Sequence, residues 1–284
     1  MMDQITFEGY GGLELFCRRW RSDTKPKAVL SIVHGHGEHS GRYSNVADWF
    51  VPRGYTVYSF DLRGHGHSQG TRGALDDFSE FREDVRAFLG LVREAEQAPI
   101  FLAGHSLGGL IALNYALQDG AGLAGVVASG PVLSPPGLSP FLLWLSKVLD
   151  RVWPSLILES GLDTSALSRD AAVVEAYVND PLVHSKGSAR LANEMLRAVE
   201  WTQAHAAELA LPCLLVHGGE DRLCDPQASK RFYDKVTAAG KEYIEYEGYF
   251  HEVYNDLGKE KVFADVQAWL ERHLPANGEA NLAG

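Results

Sequence analysis

The chain of 284 residues is poor in cysteine, with three. Cys17, Cys213 and Cys224 share no metal-ligand spacing, and each falls beside or within a candidate strand or strand-end loop, which suits a reducing compartment. A cytoplasmic location is the expectation. Positive charge is also scarce: 26 Lys and Arg stand against 37 Asp and Glu, a net charge of −11, and no basic cluster stands out. That argues against a phosphate-binding surface and against nucleic acid as a partner. The start, Met-Met-Asp-Gln-Ile-Thr-Phe, lacks a basic segment followed by an apolar run, so no secretory signal is expected. The long uncharged stretches 97–118 and 120–146 are broken by Gly, Pro and polar residues, so neither offers the roughly 18 apolar residues of a membrane span. Internal repeats and low-complexity segments are absent, and nothing signals an oligomeric state.

What the chain does have is hydrophobic content, 45%, enough for a large core. Apolar runs, several rich in β-branched residues, occur at 4–8, 13–19, 27–34, 55–61, 99–104, 123–128, 211–217 and 242–247, giving eight strand candidates. Helix-period segments lie at 42–52, 78–96, 107–118, 226–239 and 258–273; the second carries Phe81, Val85, Phe88, Leu89 and Val92 on one face. Strands alternating with helices predict a mostly parallel eight-stranded sheet covered on both faces, with the first two strands forming an antiparallel hairpin at one edge. The rhythm lapses between 131 and 208. The expected organisation is therefore a core in two parts, 1–130 and 209–274, around a helical cap at 131–208, with a frayed tail at 275–284. Within the cap, Pro140 to Pro154 is apolar around most of its circumference up to Lys147. That pattern fits a cap helix buried on both sides, and it equally fits a cap that lines an acyl pocket and presents apolar surface to lipid.

The chemistry starts at Gly104-His-Ser-Leu-Gly108, between a candidate strand and a candidate helix. G-x-S-x-G alone recurs by chance in Gly-rich loops. In a strand-turn-helix context it reads as a nucleophile elbow, in which the flanking glycines allow a turn tight enough to expose Ser106. The Leu107 N–H at the helix start would then face a negative charge developing on an attacked carbonyl. A serine hydroxyl needs a base, and the base needs an acid. In α/β-hydrolases the acid follows the nucleophile and the histidine comes last, each after a late strand. Asp221 and His251 occupy those places. Glu220 is the nearest competitor for the acid and Asp225 the next. Most of the eleven histidines read as structural or solvated; His105 packs inside the elbow, and His205, His217 and His273 carry no motif.

The stretch His34-Gly-His-Gly-Glu-His-Ser-Gly-Arg-Tyr43 follows a strand at the place where the second half of an oxyanion hole belongs, so the His36 N–H joins that of Leu107. Its closely spaced histidines and Glu38 also invite a zinc reading. A hydrolytic metal would need further ligands on later loops and would leave the Ser, Asp, His order unexplained. No metal and no organic cofactor is expected. Asp61-Leu-Arg-Gly-His-Gly-His-Ser68 lacks the phosphate-loop and dinucleotide patterns, and Asp61 and Arg63 read as loop braces.

Taken together, HGHGEHSGRY, DLRGHGHSQG, GHSLGG, the cap segments Asp163–Asp170 and Tyr177–Leu182, EDRLCDP and EGYFHEVYND resemble the monoacylglycerol lipases of the α/β-hydrolase fold, over residues 10–273. The resemblance implies hydrolysis of the ester bond of a monoacylglycerol to fatty acid and glycerol, with a similar small ester as the other substrate, Ser106, Asp221 and His251 as the triad and the amides of His36 and Leu107 as the oxyanion hole. The apolar cap segment is in turn expected to touch membrane or lipid aggregates. The resemblance also places Glu38 and Arg42 near the glycerol end of the pocket, Tyr177 in the cap facing the site, and Cys224 beside the acid. Two positions depart from the family. His36 replaces a small residue, and Tyr254 stands where mammalian members carry a polar histidine in the head-group region. A general carboxylesterase or lysophospholipase shares the same triad, as would an acyltransferase or haloperoxidase, whereas a non-enzymatic binding protein would normally have lost a triad member.

Overall fold

The computed structural model describes residues 1–22, 24–135, 148–159 and 161–275. In chain order the strands are β1 (Met2–Glu8), β2 (Glu14–Trp20), β3 (Ala28–Val33), β4 (Tyr55–Phe60), β5 (Ile100–His105), β6 (Gly125–Ser129), β7 (Ile157–Glu159), β8 (Lys186–Ser188), β9 (Cys213–Gly218) and β10 (Glu242–Tyr246). Eight of them form one sheet in the order β1-β2-β4-β3-β5-β6-β9-β10. β1 and β2 make an antiparallel hairpin that joins β4 antiparallel, and the remaining strands run parallel. The central strands β3 to β6 and β9 are buried along their whole length, the pattern of a sheet covered on both faces, while β1 at the edge alternates between exposed and half-buried.

On one face, α2 (Ser79–Ala95), α3 (Leu107–Asp119) and the helix Pro226–Lys235 bury Phe81, Val85, Phe88, Leu110, Leu113 and Phe232 in a single cluster. On the other, α1 (Ser44–Phe50) and the helix Lys259–Arg272 bury Val46, Phe50, Val262, Phe263 and Trp269. Each such side chain contributes about 1.5–3 kcal/mol by leaving water. The five helices predicted for the core all form. α3 differs from the others in being buried along most of its length, because the helix Ala189–Ala204 covers its outer side, where Asn114 Nδ2 donates to Thr202 Oγ1 at 3.1 Å.

Between β6 and β9 the chain leaves the sheet. Here lie the antiparallel pair β7 and β8 and the helices Ala171–Asn179 and Ala189–Ala204. The two short strands were absent from the sequence reading. Ile157-Leu-Glu and Lys186-Gly-Ser carry no apolar alternation, and they pair across a long separation rather than through a hairpin turn. The apolar run 141–145 lies outside the described residues. The β8 region is fastened to the core by its backbone: His184 N–H donates to Gly37 O at 2.9 Å, and Ser188 N–H to Gly73 O at 2.7 Å. Gly37 allows this with φ 79°, and a Cβ there would sit 2.2 Å from His184 O.

The order of the sheet also decides where a site can form. β4 lies on one side of β3 and β5 on the other, so the chain direction across the sheet reverses at β3. The crevice beyond the carboxyl ends of the strands at such a reversal is where α/β sheets bind ligands. Val33 pairs with Gly104, which sets the loop after β3 beside the end of β5.

Candidate active site

β5 runs into α3 through Ser106, whose φ of 55° and ψ of −117° make it the only non-glycine with positive φ among the described residues. A side chain held there costs about 1–3 kcal/mol of backbone strain. The surroundings hold it in place. Ser106 N–H donates to Ser129 O at 2.9 Å, and Ser106 O accepts from Leu110 and Val132 N–H, each at 3.1 Å. The two glycines of the motif are required by packing. A Cβ on Gly104 would lie 2.1 Å from Gly108 O, and one on Gly108 would lie 2.1 Å from Val33 O. Leu107 opens α3, and the first amides of a helix have no acceptor within it.

Asp221 lies in the turn after β9, with its carboxylate buried and filled. Oδ2 accepts from His251 Nδ1 at 2.7 Å and from His217 Nε2 at 3.0 Å, while Oδ1 accepts from the backbone N–H of Leu223 at 2.8 Å and of Cys224 at 3.0 Å. Burial alone would raise its pKa. The charge of His251 and the hydrogen bonds from His217 and His251 override that and hold it well below the usual carboxylate range. The two competing acids are placed elsewhere. Glu220 is exposed, and Asp225 caps the helix Pro226–Lys235 by accepting from Gln227 N–H at 2.9 Å.

His251 follows β10 and is buried. Burial pulls its pKa down, but the charge and hydrogen bond of Asp221, followed by Glu252 and Glu38, raise it above the ordinary histidine value. With Nδ1–H given to Asp221, Nε2 is left for a proton from another group. Its ring lies 4.7 Å from that of His105 and against Gly130, where a Cβ would come within 3.3 Å of Nδ1. Neighbouring loops grip its backbone: Glu252 N–H donates to Leu167 O at 2.8 Å, and Phe250 N–H to Asp256 Oδ2 at 2.8 Å. Asp256 also accepts from Arg169 Nε at 2.9 Å, so the segment after β7 is clamped to the histidine loop.

The loop after β3 completes the cluster. A Cβ on Gly35 would stand 3.2 Å from Ser106 Cβ, so this backbone lies directly beside the serine. Glu38 Oε1 accepts from Gly35 N–H at 2.6 Å and from Tyr43 OH at 2.8 Å, and Oε2 accepts from Arg42 at 2.8 Å. Arg42 also makes a two-pronged pair with Glu252 at 2.6 and 2.7 Å and lies over the Tyr177 ring at 4.7 Å. Glu38 is thereby held as the anion, with Arg42, then His105 and His34, overcoming its burial. The His36 ring lies edge-on to His65 and His184. Its pKa falls to about 4, first through burial and then through the charges of His184 and His34.

Four loops thus meet at the ends of the strands: Gly35 of the loop after β3 lies beside Ser106, Asp221 after β9 pairs with His251 after β10, and Arg42, under the Tyr177 ring, ties Glu38 of the first loop to Glu252 next to His251. Tyr254 is not brought there. Its ring stacks on Phe263 at 5.9 Å and lines a small internal apolar cavity with Leu30, Phe50 and Val127. Asp61 braces the loop after β3 by accepting from Ser40 N–H at 2.7 Å, and Arg63 pairs with Asp84 of α2 at 2.6 Å.

Sequence reasoning missed Glu252, the counter-ion of Arg42, and His217, the second imidazole on Asp221. Each lies within four residues of a predicted triad member, which was the available signal. Among the described residues, the one cluster able to hold a metal is Asp221, Cys224 and His251, with donor atoms within 4.8 Å of one another. Asp221 and His251 are hydrogen-bonded to each other here. In the histidine-rich loop, His34 gives Nδ1 to Gly35 O and accepts Leu62 N–H on Nε2, and His39 binds Asp180. The Cys224 thiol is buried, and that burial together with the charge of Asp221 holds it well above its ordinary pKa.

A mostly parallel eight-stranded sheet, a serine on a strained strand-to-helix turn and a histidine–carboxylate pair on the next strand-end loops define a hydrolase of the α/β-hydrolase fold. Residues 24–258 match the family model described as serine aminopeptidase, S33. The chain is 38% identical to the monoacylglycerol lipase of Mycolicibacterium smegmatis, over 95% of its own length and 97% of that protein's. It is 33% identical to the monoglyceride lipase of Homo sapiens, over 95% and 91%. The solved structure of Paleococcus ferrophilus monoacylglycerol lipase superposes with a TM-score of 0.84 at 33% identity, covering 91% of this chain and 99% of that one. The chain belongs to the monoacylglycerol lipase family of α/β-hydrolases.

Proposed function

We propose that the protein hydrolyses the ester bond of a monoacylglycerol through an acyl-serine intermediate. The observation that carries this is the alignment of Asp221 with His251 Nδ1 at 2.7 Å beside a serine held at positive φ. His251 Nε2 takes the proton of Ser106 as Oγ attacks the ester carbonyl, and the imidazolium formed is stabilised by Asp221. The N–H groups of His36 and Leu107 hold the oxyanion. The imidazolium then protonates the departing glycerol oxygen. Water, deprotonated by the same nitrogen, releases the fatty acid.

Glu38 and Arg42 serve the glycerol end by fixing the loop that carries the His36 amide, because their polar atoms are already committed to protein partners. Tyr177 closes that side of the crevice. The cap at 131–208 supplies the space for the acyl chain and a surface for lipid aggregates. Val152, Trp153, Leu158 and Val178 are all more than half exposed there, and no helix among the described residues is long and apolar enough to cross a membrane. Three buried free cysteines fit a reducing cytoplasm. Rates on monoacylglycerols, triacylglycerols, lysophospholipids and simple esters of matched chain length test the substrate. The expected result is the highest kcat/KM on monoacylglycerol, and preference for triacylglycerol or lysophospholipid refutes it.

A further inference from the structure

His217 sits at the end of β9, fully buried. Nε2 lies 3.0 Å from Asp221 Oδ2 and 3.2 Å from Cys224 O, while Nδ1 lies 2.9 Å from Ser229 Oγ. Both neighbours of Nε2 are acceptors, so Nε2 must carry the proton. Ser229 is a hydroxyl and can donate to the bare Nδ1. The tautomer is therefore fixed, and the N–H is aimed at the same carboxylate oxygen that receives His251 Nδ1–H.

We propose that His217 is a positioning residue for the reaction, resting on the triad reading above: it holds Asp221 Oδ2 in line with His251 and withdraws part of its charge. Without that donor, Oδ2 faces His251 alone. Its negative charge is then concentrated on Nδ1–H, the imidazolium is favoured, and His251 requires a higher pH to become a base. The carboxylate also keeps three donors in place of four to oppose rotation, His251 on Oδ2 and the two backbone amides on Oδ1.

Paired amide substitutions test this. A glutamine amide reaches the place of Nε2 and keeps a donor for Asp221, whereas an asparagine amide reaches only the place of Nδ1 and keeps the Ser229 contact. The readout is the acid limb of kcat/KM, which reports His251 in the free enzyme. The groups facing His251 are Asp221 and Cys224 from the β9 turn, His105 from β5, Glu38 from the loop after β3 and Glu252 beside it, and neither variant alters them. His217→Asn is expected to move the limb upward by about half a pH unit and to lower the plateau about tenfold, the scale of one charge-assisted hydrogen bond. His217→Gln is expected to restore both. A purely structural histidine would change thermal stability in both variants and leave the limb in place.

Coincident limbs for the two variants, or a downward shift in His217→Asn, overturn the proposal. Should His217→Asn fail to fold, the nitrogen-15 spectrum of the wild-type histidines decides, since protonation of His217 at Nδ1 rather than Nε2 also overturns it. Ser106→Ala in the same assay separates this claim from the one beneath it. Hydrolysis by that variant refutes the triad, whereas an inert Ser106→Ala with coincident His217 limbs leaves the triad standing and removes only His217.

Discussion

Replacing Asp221 by asparagine changes one oxygen to an amide nitrogen, and the structure gives that nitrogen nowhere to go. Four donors converge on the carboxylate: two imidazole N–H groups on Oδ2 and two backbone N–H groups on Oδ1. Asparagine brings only one acceptor oxygen. With that oxygen toward His251, the amide NH2 meets the backbone N–H groups of Leu223 and Cys224. With it toward the backbone, the NH2 meets His251 Nδ1–H and His217 Nε2–H. Relief comes most easily at His251, whose proton can move to Nε2 so that Nδ1 accepts from the amide. That tautomer points an N–H at Ser106 and cannot take its proton. Loss of the working tautomer in a triad costs about ten thousand-fold in kcat, or about 5 kcal/mol of transition-state stabilisation. The stability cost is smaller, about 1–3 kcal/mol for the unmatched donors, because no buried charge is left without a partner. Hydrolysis of a short p-nitrophenyl ester and a thermal unfolding curve measure both. A folded Asp221→Asn protein with more than a tenth of the wild-type kcat would falsify the assignment of Asp221 as the acid.

Two further outcomes follow from the same geometry. His251 is raised by Asp221 above its ordinary value of 6.5, and it acts as a base only when neutral, so kcat/KM should fall as pH drops through a midpoint above 6.5; a midpoint at or below 6.5 in the pH profile contradicts the pairing. Gly108→Ala should lower stability by about 3 kcal/mol or more and distort the loop carrying His36, since its Cβ would lie 2.1 Å from Val33 O and 2.4 Å from His34 O, while Gly90→Ala, in α2 with nothing within 4 Å, should raise stability by about 0.5–1 kcal/mol in chemical denaturation. Equal effects at the two glycines would show that the close packing at the elbow is not what requires glycine.

The core was readable because each of its elements leaves a periodic trace. β3 and β4 are mostly apolar and buried along their whole length because both faces are covered, and α2 shows one apolar stripe because only one face is. The Gly-x-Ser-x-Gly spacing was readable because steric limits permit little else at Gly104 and Gly108. β7 and β8 left no trace: three residues each, half polar, they pair because the surrounding chain brings them together. The placement of Tyr254 was beyond the sequence as well. A tyrosine three residues after His251 suits a pocket wall or a core position equally, and stacking on Phe263 settles it toward the core. His217 read as structural or solvated because its partner, Asp221, was assigned by chain order, which says nothing of a second donor. Glu38 and Arg42 were expected near the glycerol end of a pocket, and only the hydrogen bonds reveal that they hold the backbone of the loop after β3.

Hydrolysis by this mechanism passes through a covalent acyl-serine at residue 106, which can be trapped. The protein is mixed with a slowly deacylating p-nitrophenyl ester, quenched in acid within the first turnovers, digested and analysed by mass. One acyl adduct is expected, on the peptide spanning Gly104 to Gly108 and localised to Ser106, with none in Ser106→Ala. Unchanged hydrolysis by Ser106→Ala, or an adduct on Cys224 with Ser106 unmodified, would contradict it.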